Sequence, residues 1–164
     1  MRLRVATPAD ADAVASVLRP SYAELMAAAY PPGLMARILP VITRANPELL
    51  ASGTYYLVLS GDGEPAGCGG WTPHPPGARE PDPRRAHIRH FAVHPAFLRR
   101  GVGRLLYERC EADARAAGFA ALEAWAILNG EPFYAALGFR SLGRIESPMP
   151  GGVRLPAVRM ERSL

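Results

Sequence analysis

Apolar residues alternate through "RLRVA", which fits a short strand. In the following "TPADADAVASVL", Ala13, Val14, Val17 and Leu18 recur at helical spacing. Thr7 stands where a helix N-cap belongs, and Pro8 occupies the first helical position. A second helix is expected within Leu34 to Ala45, between proline-rich breaks. That leaves Tyr22, Glu24 and Tyr30 in the connector between the two helices, where they would border a substrate site. "TYYLVLS" and "AGCGGWT" read as a hairpin joined by the turn "GDGEP". Next comes "PHPPGAREPDPRRA", which holds five of the seventeen prolines and reads as a surface loop feeding the strand "HIRHFAV". A strand is expected at "ALEAWAIL", a helix at "EPFYAAL" ending on Gly138, and two strands around "RSLGRI" and "VRLPAVRME". The predicted order is βααβββαβαββ. It makes an α/β domain over residues 1–164, with a mixed central sheet and helices on both faces.

One passage does not fit a purely structural pattern. In "HFAVHPAFLRRGVGRLLYERCEADARAAGF" the apolar positions Val102, Leu105, Leu106, Cys110, Ala114 and Ala117 mark a helix that ends at Gly118, so Gly101 and Gly103 fall at its start. The first N–H groups of a helix have no partner within it, and the helix dipole is positive there, which favours an anion such as a phosphate. Two residues without Cβ let a bulky pyrophosphate approach the backbone, and Arg99, Arg100 and Arg104 add charge around the same point. A Walker A loop would need lysine. A dinucleotide fingerprint would need a third glycine where Leu106 stands.

Composition removes other options. The chain has 164 residues, 49% hydrophobic and 21% charged, and no apolar run of membrane-spanning length. All nineteen basic residues are arginine, so chemistry that needs a lysine amine is excluded. The net charge of +4 favours anionic partners without a nucleic-acid-binding module, and Cys68 and Cys110 read as core residues. "MRLRVATPAD" carries no secretory pattern, so a cytoplasmic protein with no membrane partner is expected. His87, His90 and His94 lack the spacing and the carboxylate of a zinc set, so no metal is expected.

The sequence resembles the GNAT superfamily of acyl-CoA-dependent N-acyltransferases. "FAVHPAFLRRGVGRLL" is similar to its motif A through Val93, Pro95, Gly101, Gly103 and Leu106. "ILNGEPFYAALGFR" matches its second signature through Asn129, Phe133, Tyr134, Gly138 and Phe139. Leu98 departs from the pattern, standing where the family usually has Arg or Gln. The resemblance implies the GNAT fold and transfer of an acetyl or short acyl group from acetyl-CoA to an amine of a small molecule or peptide, by direct attack in a ternary complex. It implies that Phe91, Ala92 and Val93 bind the pantetheine arm, that Arg99, Arg100, Gly101, Val102, Gly103 and Arg104 hold the pyrophosphate, and that Asn129 and Phe133 complete the coenzyme A site. Tyr134 resembles the tyrosine that protonates the leaving sulfur. Many relatives place a glutamate base where this chain has His87. His87 and His90 are both candidate bases, with His87 slightly preferred and Glu123 in reserve, because a bulge expected in this strand would turn both histidines toward one face. The missing glutamate also leaves open a non-catalytic acyl-CoA sensor. Glu24, Glu80 and Asp82 lie in segments that would meet the unidentified amine, and a homodimer is in keeping with the family.

Overall fold

The computed structural model describes residues 1–164. Its strands are β1 (Arg2–Val5), β2 (Tyr55–Leu59), β3 (Pro65–Thr72), β4 (Arg85–Val93), β5 (Ala121–Ile127), β6 (Arg140–Pro148) and β7 (Arg154–Ser163). They form one sheet in the order β1-β2-β3-β4-β5-β7-β6, antiparallel at every junction except the parallel β4–β5 pair. Five helices complete the chain: α1 (Ala11–Ala27), α2 (Pro32–Ile42), α3 (Pro47–Ala51), α4 (Val102–Ala116) and α5 (Glu131–Ala136).

The expected architecture holds, with three adjustments. The one-turn helix α3 is additional, so the order is βαααβββαβαββ. Asn46 starts it by accepting the Glu48 N–H at 2.9 Å, with Pro47 at its first position, a cap signal too short to register as an apolar period. Helix α1 is longer than its first apolar stripe suggested. After a 3₁₀ turn at Pro8–Asp10 it runs through Pro20, because Ser21, Tyr22 and Met26 continue the buried face begun by Val14, Val17 and Leu18. Tyr22 and Glu24 therefore sit on α1, and only Tyr30 lies in the connector. Helix α2 starts at Pro32, two residues before the predicted span, and ends at Ile42.

Two cores flank the sheet, built by the alternation of its strands. Tyr56, Val58, Ala66, Ile88, Leu122 and Ala126 face α4 and α5, packing on Val102, Leu106, Cys110 and Tyr134. Tyr55, Leu57, Cys68 and Ala92 face the other way, onto Val14, Leu18, Tyr22 and Ile38 of α1 and α2. No helix is long and apolar enough to cross a membrane.

Candidate active site

Strands β4 and β5 pair only at Arg85–His87 with Ala121–Glu123. From Ile88 and Ala124 onward they diverge, so the sheet is split at its centre. A bulge in β4 shapes one side of the split: the register against β3 moves from Arg89 opposite Gly70 to Ala92 opposite Cys68, leaving one extra residue in β4. His90 absorbs it with φ of 53°, in the left-handed region that histidine tolerates better than most residues. The Tyr55 hydroxyl donates to the His90 carbonyl at 3.0 Å, and the Tyr22 hydroxyl to the Phe91 carbonyl at 3.1 Å, fixing the bulge from below.

The bulge reverses which residues face each core. Ala86 and Ile88 face α4 before it, and Phe91 and Val93 do so after it, while His90 turns toward α1 and stacks on Tyr22 with ring centroids 5.7 Å apart. A cavity of about 450 Å³ fills the split. On the α4 side its walls are Ile88, Phe91, Val93, Ala126, Phe133 and Tyr134; on the α1 side they include Tyr22, Leu25, His90, Trp125 and Ile127. The cavity therefore passes through the sheet and meets both faces.

At the α4 end, Pro95, Leu98 and Gly103 carry the cavity to the helix start. Arg99 has φ of 62° and Gly101 φ of 80°, two left-handed residues that turn the chain so that Gly101 caps α4. The backbone N–H groups from Arg99 through Arg104 donate to no acceptor in the protein, and the first bond of the helix is from Leu105 to the Gly101 carbonyl at 2.9 Å. The unpaired donors lie at a helix N-terminus, an arrangement that suits an anion. Arg99, Arg100 and Arg104 are exposed around it; Arg100 lies 5.5 Å above the Phe97 ring, and Arg104 reaches to 3.9 Å from Glu108. Val102 is buried and offers only its backbone. Gly103 has a further reason to lack a Cβ, which would stand 2.9 Å from the Phe133 ring. Leu98 is 53% exposed at the cavity edge, so the departure from the family pattern puts an apolar side chain at the entrance.

Tyr134 lines the cavity from α5, wedged between the rings of Phe133 and Phe139 at 5.0 and 5.3 Å. Its hydroxyl has no partner within the protein, and burial pushes its pKa well above the ordinary phenol value, so it stays protonated. Asn129 anchors the mouth: its side-chain N–H donates to the Leu25 carbonyl, tying the end of β5 to α1, while its Oδ1 is buried without a partner. Tyr30 acts similarly, donating to the Pro156 carbonyl at 2.5 Å and accepting the Leu128 N–H at 2.9 Å.

The two candidate bases have separate surroundings. His90 faces the cavity, and its Nε2 lies 2.6 Å from the Ile42 carbonyl, so that nitrogen carries the proton and Nδ1 keeps its lone pair. Burial lowers its pKa to about 4, which keeps the ring neutral at physiological pH. His87 does not reach the cavity. It is 2% exposed at the apex of the split, with Nε2 3.4 Å from Asp82 Oδ2 and Nδ1 3.9 Å from Glu123 Oε1, and neither nitrogen makes an aligned hydrogen bond. Burial lowers the pKa of His87 as well, against the pull of the two carboxylates. Glu123, the reserve candidate, is committed elsewhere: Arg159 binds both its oxygens at 3.0 and 2.9 Å, and Trp125 donates to it at 2.8 Å. Burial alone would raise the Glu123 pKa, but these donors outweigh it and leave the carboxylate below its usual range. Of the three acidic residues expected near the amine, only Glu24 borders the cavity, while Asp82 folds the proline-rich loop by accepting the N–H groups of Arg84 and Arg85. Trp125 is a cavity residue that sequence reasoning missed, as are the aliphatic walls Leu25, Ile88 and Ile127. The signal for Trp125 was a single large aromatic among small residues in "ALEAWAIL".

The model of the acetyltransferase (GNAT) family matches residues 19–139. None of the curated proteins compared with the chain matches it in sequence. Among solved structures, a GCN5-related N-acetyltransferase from Rhodopseudomonas palustris aligns with TM-score 0.74 and 24% identity, over 99% of this chain and 95% of that one. The PaiA N-acetyltransferase of Thermoplasma acidophilum, solved in complex with coenzyme A, aligns with TM-score 0.71 and 13% identity over 99% and 98%. A GCN5-related N-acetyltransferase from Kribbella flavida is 26% identical with TM-score 0.62, over 99% and 97%.

Proposed function

The chain belongs to the GNAT acetyltransferase family, and from that premise we propose that it transfers an acetyl or short acyl group from acetyl-CoA to an amine by direct attack in a ternary complex. The observation that carries this reading is the cavity that passes through the split sheet, bordered by the anion cradle and Tyr134 on the α4 side and by His90 on the α1 side. Two substrates entering from opposite faces would meet between those groups without an acyl-enzyme.

The residues at the α4 end fit coenzyme A. Six consecutive unpaired N–H groups suit a pyrophosphate, exposed Arg99, Arg100 and Arg104 suit its charge, and Phe91, Ala92 and Val93 border the split where a pantetheine arm would run. Phe133 closes the same end beside Gly103, and Asn129, bonded to Leu25 of α1, stands at the mouth. Bound there, acetyl-CoA supplies an activated thioester. The protein's task is to manage protons and exclude water. As the amine nitrogen bonds to the thioester carbon, the nitrogen becomes strongly acidic, and even a weakly basic imidazole can take its proton at His90 Nδ1. As the carbon–sulfur bond breaks, the Tyr134 hydroxyl, which lines the cavity and has no partner within the protein, donates to the departing thiolate. Solvent then returns the proton from His90 to Tyr134, restoring both groups. The cysteines support direct attack, because both are buried and neither borders the cavity, and burial pushes the Cys68 thiol up to about 12.

The test is release of coenzyme A thiol on mixing the protein with acetyl-CoA and a panel of primary amines, beside a thermal shift with coenzyme A alone. Both signals are expected. A shift without turnover would assign a sensor of acyl-CoA, and neither signal would remove the reading altogether.

A further inference from the structure

The α1-side half of the cavity is where the acceptor amine would lie if the proposed activity is right, and its walls carry information about that amine. They are mostly rings and aliphatic groups: Tyr22, His90, Trp125, Leu25 and Ile127, with Glu24 the one carboxylate bordering the whole cavity. Glu24 is exposed on α1. An acceptor with several ammonium groups would bury charges that nothing here could pair. A single amine on an apolar body leaves no such debt.

Trp125 is the most firmly held of these walls. Its Nε1–H donates to Glu123 Oε1 at 2.8 Å, and Glu123 is fixed by the two-point contact with Arg159 and by Arg85 at 3.5 Å, with His87 beside it. Glu123 is 2% exposed, so the acceptor oxygen for the indole does not wander. None of this ionic network except Trp125 reaches the cavity. The indole itself is half-buried, and no ring or guanidinium of the protein stacks on it, although three other aromatic side chains of this chain carry an arginine over their faces. Trp125 thus lines the cavity with its indole N–H held by a buried carboxylate, and no ring of the chain stacks on it.

We propose that Trp125 is a stacking wall that selects acceptors bearing one amine beside a flat, apolar ring, and that Glu123 and Arg159 are positioning residues that set its plane. The network between β4, β5 and β7, including His87 where relatives often hold a base, then serves specificity instead of proton transfer.

The test compares 2-phenylethylamine with n-hexylamine as acceptors, using thiol release from acetyl-CoA. The wild-type protein should favour the ring-bearing amine by roughly 3- to 10-fold in kcat/KM, the range of one aromatic stack. Trp125→Ala should bring that ratio close to one, and Trp125→Phe, which keeps a ring, should retain most of it. Glu123→Gln still offers an oxygen to the indole N–H and should preserve more of the ratio than Glu123→Ala. A wild-type ratio near one, or a ratio unchanged in Trp125→Ala, would overturn the proposal. If no amine is turned over, the acyltransferase reading fails by itself. The inference is then decided in a Trp71→Phe background, where Trp125 is the sole tryptophan. Saturable quenching of its emission by 2-phenylethylamine and not by n-hexylamine supports the wall, and equal or absent quenching rejects it.

Discussion

The two ends of the cavity are built by different means. At the α4 end, the proposed anion cradle is made of consecutive backbone N–H groups, aimed by two left-handed residues within one short turn. At the α1 end, the working groups are side chains from distant parts of the chain: Tyr22 from α1, His90 from β4 and Trp125 from β5. A backbone site depends on local conformation, so it is tolerant of most side-chain changes and sensitive to φ. A side-chain site depends on packing and hydrogen bonds between elements, so single atoms matter there.

That contrast orders the expected effects. The largest is at the junction of the two ends, where Tyr134→Phe should lower kcat by roughly 10²-fold or more while leaving acetyl-CoA affinity nearly unchanged, as measured by steady-state kinetics beside calorimetry. An equal loss in both would mean that Tyr134 only packs against Phe133 and Phe139.

On the α1 side, His90→Asn suits the left-handed backbone but removes the imidazole, and should lower kcat/KM by roughly 10- to 100-fold. It also changes the response to acid. The folded pKa of about 4 lies below the ordinary 6.5, so the unfolded chain takes up the proton first. His90 therefore lowers stability progressively as pH falls from about 6.5 to about 4, and the penalty levels off below that. Melting temperatures across this window should fall more steeply for the wild type than for His90→Asn. Parallel curves would show that the imidazole is not held neutral.

The smallest effect belongs to the cradle. Gly101→Val forces a branched side chain into φ of 80°, although no atom lies within 4 Å of the position its Cβ would take. The cost of about 1–2 kcal/mol for the left-handed conformation corresponds to a roughly 5- to 30-fold weaker binding of coenzyme A. Calorimetry should find it with kcat at saturation little changed. Unchanged affinity would remove the cradle's role.

The same contrast explains what the sequence revealed. The α4 end was legible because glycines, arginines and the apolar period of one helix lie within a single stretch, and the local rules for helix starts apply directly. The mixed sheet and its flanking helices followed from alternation and turn residues. The order was off by α3, whose one turn leaves too short a pattern, and α1 runs on past the apolar stripe that ends at Leu18, because Ser21, Tyr22 and Met26 extend its buried face. The α1 end was only partly legible. A bulge was expected in β4, yet which histidine it would aim at the cavity depended on the extra residue falling at His90, where Tyr22, Tyr55 and the Ile42 carbonyl meet it across gaps of 35 to 69 residues. His87 matched the family position for a base but lies at the apex of the split among Asp82, Glu123 and Arg85, a placement set by β4–β5 pairing. Trp125 acquires its orientation from Glu123 two residues earlier and from Arg159 on a neighbouring strand, a relation with no sequence signature.

In the proposed reaction, thioester and amine meet in one cavity from opposite faces of the sheet, with no covalent acyl-enzyme between them. Initial rates measured while acetyl-CoA and the amine are both varied test this most directly. Double-reciprocal lines that intersect are expected. Parallel lines, with an acetylated protein captured by mass spectrometry in the absence of amine, would contradict it.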